Sequence, residues 1–158
     1  MVKRRAAIVQ LSAVILFVGV LSYIITTYQL VQVAGNSMQP TLRHQEYTVI
    51  HRRKIPKRYD LAVFDFEGQL IVKRIIGVPG DTFTRDGTRL IFDVSHMSET
   101  VTYTVVVSDA MAEQLPASGI IPLGKYFVVG DELQISHDSR TLGFFSRVNF
   151  RGIILRVS

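Results

Sequence analysis

The chain has 158 residues, 47% of them apolar, and 18 Lys and Arg against 13 Asp and Glu give it a net charge of +5. That length holds one domain plus an anchor, not two full domains. The absence of cysteine excludes disulfides, a cysteine nucleophile and thiolate metal sites, and His44, His51, His96 and His137 are scattered without metal-ligand spacing, so neither a metal nor a cofactor is expected.

In chain order, Lys3, Arg4 and Arg5 come first, and no charged residue follows until Arg43. Ala6 to Val33 is mostly apolar, enough to cross a hydrocarbon core about 30 Å thick, so residues 6–30 read as one transmembrane α-helix. A cleavable secretory signal would have an apolar region of about 7 to 15 residues and a small-x-small site. Gln32-Val33-Ala34 lacks the small residue two before the alanine, so an anchor is expected. Lys3, Arg4 and Arg5 hold residues 1–5 in the cytoplasm and place everything after the helix outside, as a single-pass membrane protein. Tyr23 and Tyr28 suit the outer interface.

Next comes Gly35-Asn36-Ser37-Met38-Gln39-Pro40-Thr41-Leu42, a turn-forming stretch that puts a hydroxyl within about ten residues of the expected membrane surface. Ser37 reads either as a turn hydroxyl or as a nucleophile. The basic cluster His51-Arg52-Arg53-Lys54 with Lys57 and Arg58 lies close behind the anchor, where it suits anionic headgroups of the lipid bilayer better than nucleic acid.

From Glu46 onwards the chain reads as β structure, with strands at Tyr47 to His51, Asp60 to Phe66, Leu70 to Ile76, Arg89 to Val94, Val101 to Val107, Lys125 to Val129 and Asn149 to Val157. Each run is rich in β-branched or aromatic residues and bounded by turn residues such as Pro79-Gly80-Asp81 and Asp86-Gly87. One helical turn fits at Ser108 to Gln114. The expected fold class is an all-β domain, sandwich or barrel-like, over residues 31–158 behind one N-terminal transmembrane helix. Residues 82–124, more polar and irregular at Ser95-His96-Met97-Ser98-Glu99, read as a small lobe of their own.

Within Leu70 to Ile76, alternation puts Ile71, Lys73 and Ile75 on one face and Val72, Arg74 and Ile76 on the other. A lysine held among isoleucines loses hydration, which lowers its pKa and favours the neutral amine that can take a serine's proton. An edge-strand lysine that reaches out to water fits the same spacing.

Three stretches in order resemble the bacterial type I signal peptidases. Ser37-Met38-Gln39-Pro40-Thr41-Leu42 is similar to their nucleophile box, Lys73-Arg74-Ile75-Ile76-Gly77-Val78-Pro79-Gly80-Asp81 to their lysine box, and Gly130-Asp131 with Ser136-His137-Asp138-Ser139-Arg140 to their C-terminal box. Tyr59-Asp60-Leu61-Ala62-Val63-Phe64 is a weaker fourth, with Tyr59 in a glycine place, and Glu132 stands where an asparagine is common. The short 82–124 lobe and single anchor resemble the compact Gram-positive form.

The resemblance implies a membrane-bound serine endopeptidase that removes signal peptides from exported preproteins after small-x-small sites. Ser37 would be the nucleophile, Lys73 the base and Ser136 the group that orients Lys73. Asp138 would pair with Arg140, and with Arg74, as a structural clamp. The Ser37 backbone N–H would serve the oxyanion, since Gly35 offers no hydroxyl. Met38, Leu42 and Val72 would line the substrate pocket. Signal-peptide-bearing preproteins and the lipid bilayer are the expected partners, with no nucleic acid and no metal. The alternative is a signal-peptidase-like assembly partner without catalysis, as in pilus biogenesis, which the presence of both Ser37 and Lys73 disfavours.

Overall fold

The computed structural model describes the backbone of residues 2–96 and 99–155, and side chains over 10–93 and 101–155. The side chains of Lys3, Arg4, Arg5 and His96, the residues Met97 and Ser98, and the end of the last expected strand from Arg156 lie outside the described residues.

Helix α1 runs from Val2 to Thr27. Its stretch Gln10–Thr27 is long and apolar enough to cross a membrane and is only 6% buried against the rest of the chain. Leu16, Phe17 and Ile25, each more than 60% exposed, have no protein to pack on. Lipid is the solvent that suits such a surface, and a helix is the form that satisfies its own backbone there. The helix stops three residues before the expected boundary because Tyr28–Gln32 forms strand β1 and pairs antiparallel with β2, Tyr47–His51. No linker intervenes. Arg52 N–H donates to the Thr27 carbonyl at 2.8 Å, Arg53 donates to the Thr26 hydroxyl at 3.1 Å, and the Arg53 guanidinium lies 5.8 Å from the Tyr23 ring centroid.

The remaining strands are β3 (Leu61–Phe66), β4 (Gln69–Gly77), β5 (Thr82–Asp86), β6 (Arg89–His96), β7 (Glu99–Val106), β8 (Ser118–Ile120), β9 (Lys125–Val129), β10 (Phe145–Ser146) and β11 (Phe150–Leu155). Two short helices join them, α2 (Asp109–Gln114), capped by Ser108, and α3 (Ser139–Leu142), capped by Asp138. A seven-stranded sheet has the order β1-β2-β11-β3-β4-β9-β10, and a four-stranded sheet, inside the expected 82–124 lobe, has the order β7-β6-β5-β8.

Strand β3 shows how the large sheet positions the site. Ala62 and Phe64 enter one core with Ile75, Val128, Phe150 and Ile153, while Leu61 and Val63 enter another with Met38, Leu42, Ile50 and Ile154. A strand buried on both faces reads as a continuous apolar run, which Leu61-Ala62-Val63-Phe64 is. The second core reaches outside the sheet to the turn that carries Ser37. Met38 is 2% exposed, and burying such a side chain contributes about 1.5–3 kcal/mol, enough to seat the turn firmly. A third core packs Phe83, Leu90 and Phe92 of the small sheet against Phe127 and Val129 of β9.

Strands β1, β5, β8 and β10 were not expected from the sequence. The first continues the apolar run of the anchor, β5 is the near arm of a local hairpin with β6 across Asp86-Gly87, and β8 and β10 are short pieces whose pairing comes from distant chain: β8 lies on β5, and β10 on β9.

Candidate active site

The turn of Ser37 is built by its own residues. Gly35 enters it at φ +87°, a left-handed conformation that glycine adopts freely. Gln39 N–H donates to the Asn36 carbonyl at 3.0 Å and Leu42 N–H to the Met38 carbonyl at 2.9 Å. Ser37 is left half-buried above the Met38 and Leu42 side chains.

Lys73 comes up from β4 on the same face as Ile71 and Ile75, and is 3% exposed. Its Nζ lies 3.0 Å from Ser37 Oγ and 3.0 Å from Ser136 Oγ. Burial is the main reason the Lys73 pKa is lowered. The Asp138 charge opposes that and the Arg140 charge adds to it. The lysine that could have reached water is instead closed in, with two hydroxyls as its partners.

The segment that closes it begins where β9 ends. A Cβ at Gly130 would lie 2.1 Å from Ser136 Oγ and 2.7 Å from the Ser37 carbonyl oxygen, so only glycine lets these two serines converge. Glu132 contributes its backbone N–H, which donates to the Ser37 carbonyl at 3.0 Å. Residue type at 132 is therefore loosely constrained.

Asp138 is fully buried and accepts from Gly130 N–H at 2.8 Å and from Arg140 Nε and Nη2, each at 2.9 Å. Burial alone would push its carboxyl up. The Arg140 hydrogen bonds, the Gly130 N–H, the Ser136 hydroxyl and the Arg140 N–H outweigh it, so the pKa is lowered and the group stays ionised. Helix α3 starts at Ser139, and Arg140 folds back on Asp138 as the helix begins.

Two expectations are corrected. Arg74 takes no part in the Asp138 clamp: it points to the other face of β4 and forks onto Asp131, at 2.8 Å from Nε and 2.6 Å from Nη2. Thr41 donates its hydroxyl to the same carboxylate and accepts from Arg74 Nη2 at 3.3 Å, so one residue from each box meets there. Nothing local in the sequence points to the partner of Asp131, which lies 57 residues from Arg74. Met38 and Leu42 are not an open pocket wall. At 2% and 5% exposed they are core under the Ser37 turn, and Val72 alone of the three remains half-buried.

Tyr59 explains the glycine usual in its place. Its φ is +67°, a conformation that costs a side-chain-bearing residue about 1–2 kcal/mol. Its N–H donates to the Ile75 carbonyl at 2.8 Å, its carbonyl accepts from Arg74 Nη1 at 3.1 Å, and its ring meets Tyr103 edge-on at 5.9 Å. Those contacts offset the strain. Among the described residues no group of His, Asp and Glu side chains could hold a metal ion.

The family described as "signal peptidase, peptidase S26" matches residues 4–157. Signal peptidase IB of Staphylococcus aureus (strain Mu50 / ATCC 700699) is 32% identical over 162 residues, covering 87% of this chain and 82% of the relative. Signal peptidase I V of Bacillus subtilis (strain 168) is 29% identical over 136 residues, covering 78% and 81%. A crystal structure of a signal peptidase I from Enterococcus faecalis V583 aligns at 26% identity and a TM-score of 0.45, covering 65% of this chain and 98% of that one.

Proposed function

The chain belongs to the signal peptidase family, peptidase S26, and has signal peptidase I function; from that premise we propose that Ser37 is its nucleophile and Lys73 its general base. The observation that carries this reading is the 3.0 Å approach of Lys73 Nζ to both Ser37 Oγ and Ser136 Oγ at a lysine 3% exposed.

With Lys73 neutral, the Ser37 hydroxyl donates to Nζ, Nζ–H donates to Ser136 Oγ, and the Ser136 hydroxyl donates to the ionised Asp138. Each group has one direction left to it, so the Nζ lone pair is aimed at Ser37. Attack of Oγ on the scissile carbonyl passes the hydroxyl proton to Nζ, which then gives it to the leaving amine. Water hydrolyses the acyl-enzyme with Lys73 again as base. The Ser37 N–H donates to no acceptor among the described residues, which leaves it for the developing oxyanion. Arg140 keeps Asp138 from holding Lys73 charged. The substrates are signal-peptide-bearing preproteins cut after small-x-small sites, and the half-buried Val72 is the pocket residue that remains.

Lys3, Arg4 and Arg5 at the start of the chain orient it with its N-terminus in the cytoplasm, so that the β domain meets preproteins at the outer face of the membrane. Ser37→Ala and Lys73→Ala should each abolish cleavage of a peptide with alanine at the scissile position, and Ser37→Ala should abolish acylation by a penem-type inhibitor. Near-normal turnover in either variant contradicts the dyad. Protease added outside wall-stripped cells should digest the β domain, and full protection would reverse the orientation.

A further inference from the structure

We propose that His44 is a positioning residue for the nucleophile, its Nδ1 holding the Gly35 N–H and thereby closing the loop that carries Ser37; this rests on the assignment of Ser37 above. The β1–β2 ladder does not end with its strands. Val33 N–H donates to the Glu46 carbonyl at 2.9 Å, Gln45 N–H to the Val33 carbonyl at 2.9 Å, and the Gln32 side chain to the Gln45 carbonyl at 3.1 Å. The last rung is Gly35 N–H to His44 Nδ1 at 3.0 Å, where a side chain stands in for a backbone acceptor. Beyond it the chain leaves as the loop of residues 36–43.

The two ends of that loop are held differently. On the far side Met38 and Leu42 are buried and Thr41 is bonded to Asp131. On the near side Ala34, Gly35 and Asn36 are all exposed, and nothing lies within 4 Å of the place a Gly35 Cβ would occupy. Packing therefore does not select the φ of +87° at Gly35, and glycine permits many alternatives. Gln39 holds Asn36 through its backbone and side-chain amides, each at 3.0 Å, and the Gly35 amide itself is held by the bond to His44, which requires the imidazole proton on Nε2 so that Nδ1 can accept. Glu46 steadies the same turn by accepting the Arg43 N–H at 2.8 Å.

Because the bond is exposed to water, it adds little to global stability. Its effect falls on the placement of Ser37 Oγ, where small displacements are costly to turnover.

The test uses the full chain in detergent with a signal-peptide substrate and compares Ser37→Ala, His44→Ala and His44→Asn. His44→Ala should lower kcat about ten- to a hundredfold with KM and melting temperature close to wild type. His44→Asn, whose amide oxygen can take the place of Nδ1, should recover most of the rate. A His44→Ala enzyme with wild-type kcat, or a His44→Asn enzyme as slow as His44→Ala, overturns the proposal while inactive Ser37→Ala leaves the nucleophile standing. Turnover by Ser37→Ala would overturn the nucleophile assignment and this proposal together.

Discussion

Gly130 faces Ser136 so closely that a β-carbon on the glycine would sit 2.1 Å from the serine hydroxyl oxygen. The lysine's second partner is therefore placed by the absence of a side chain on the end of β9. Gly130→Ala should fold, because the contact lies at a loop that can yield, but it should displace Ser136 by about 1 Å and cost about a hundredfold in kcat/KM. Near-wild-type kcat/KM in a folded Gly130→Ala protein would show that Ser136 need not be held there.

The Arg74–Asp131–Thr41 junction joins β4, the segment after β9 and the Ser37 turn. Its fork geometry is what a guanidinium supplies and an ammonium does not. Arg74→Lys should keep the charge yet lose about 1–3 kcal/mol of stability, read by denaturant unfolding in detergent. If Arg74→Lys is as stable as wild type, the forked pairing contributes nothing beyond charge.

Turnover needs neutral Lys73, so the rate should rise with pH through the folded pKa of Lys73, which burial holds below the ordinary value of 10.5. Arg140 lowers that pKa directly and also neutralises Asp138, whose charge raises it. Arg140→Gln should therefore move the acidic limb of kcat/KM to higher pH. A limb that stays put or moves down in a folded, active Arg140→Gln enzyme means that another group titrates.

The same lysine bears on stability. Its folded pKa is depressed, so between that value and 10.5 the unfolded chain binds more protons and stability rises with pH; below both values the penalty for a buried ammonium is present in full. Lys73→Met should be inactive yet more stable than wild type at pH 7, with the gap narrowing towards pH 10, as read by thermal unfolding across pH. A Lys73→Met protein less stable than wild type across that range would show that the amine's hydrogen bonds outweigh its desolvation.

The sequence alone determined whatever depends on neighbours along the chain. An uncharged apolar run from Ala6 makes a helix because the backbone must bond internally in lipid, and the two-residue period of β4 separates Lys73 from Arg74. The run Asp60 to Phe66, rich in β-branched and aromatic residues and followed by Glu67-Gly68, reads as a strand, and the structure buries it on both sides. Tertiary structure decided what depends on register and approach between distant segments. Asp131 and Asp138 are equally available to Arg74 in one dimension, and the turn after β9 gives it the first. Met38 and Leu42 read as apolar wall until the Ser37 turn is laid over Leu61 and Val63, which makes them core. The need for glycine at Gly130 exists only once Ser136 and Ser37 converge on Lys73. Periodicity is a property of consecutive dihedrals and is written in the sequence, whereas the distance between two loops is set by how the sheets beneath them pack.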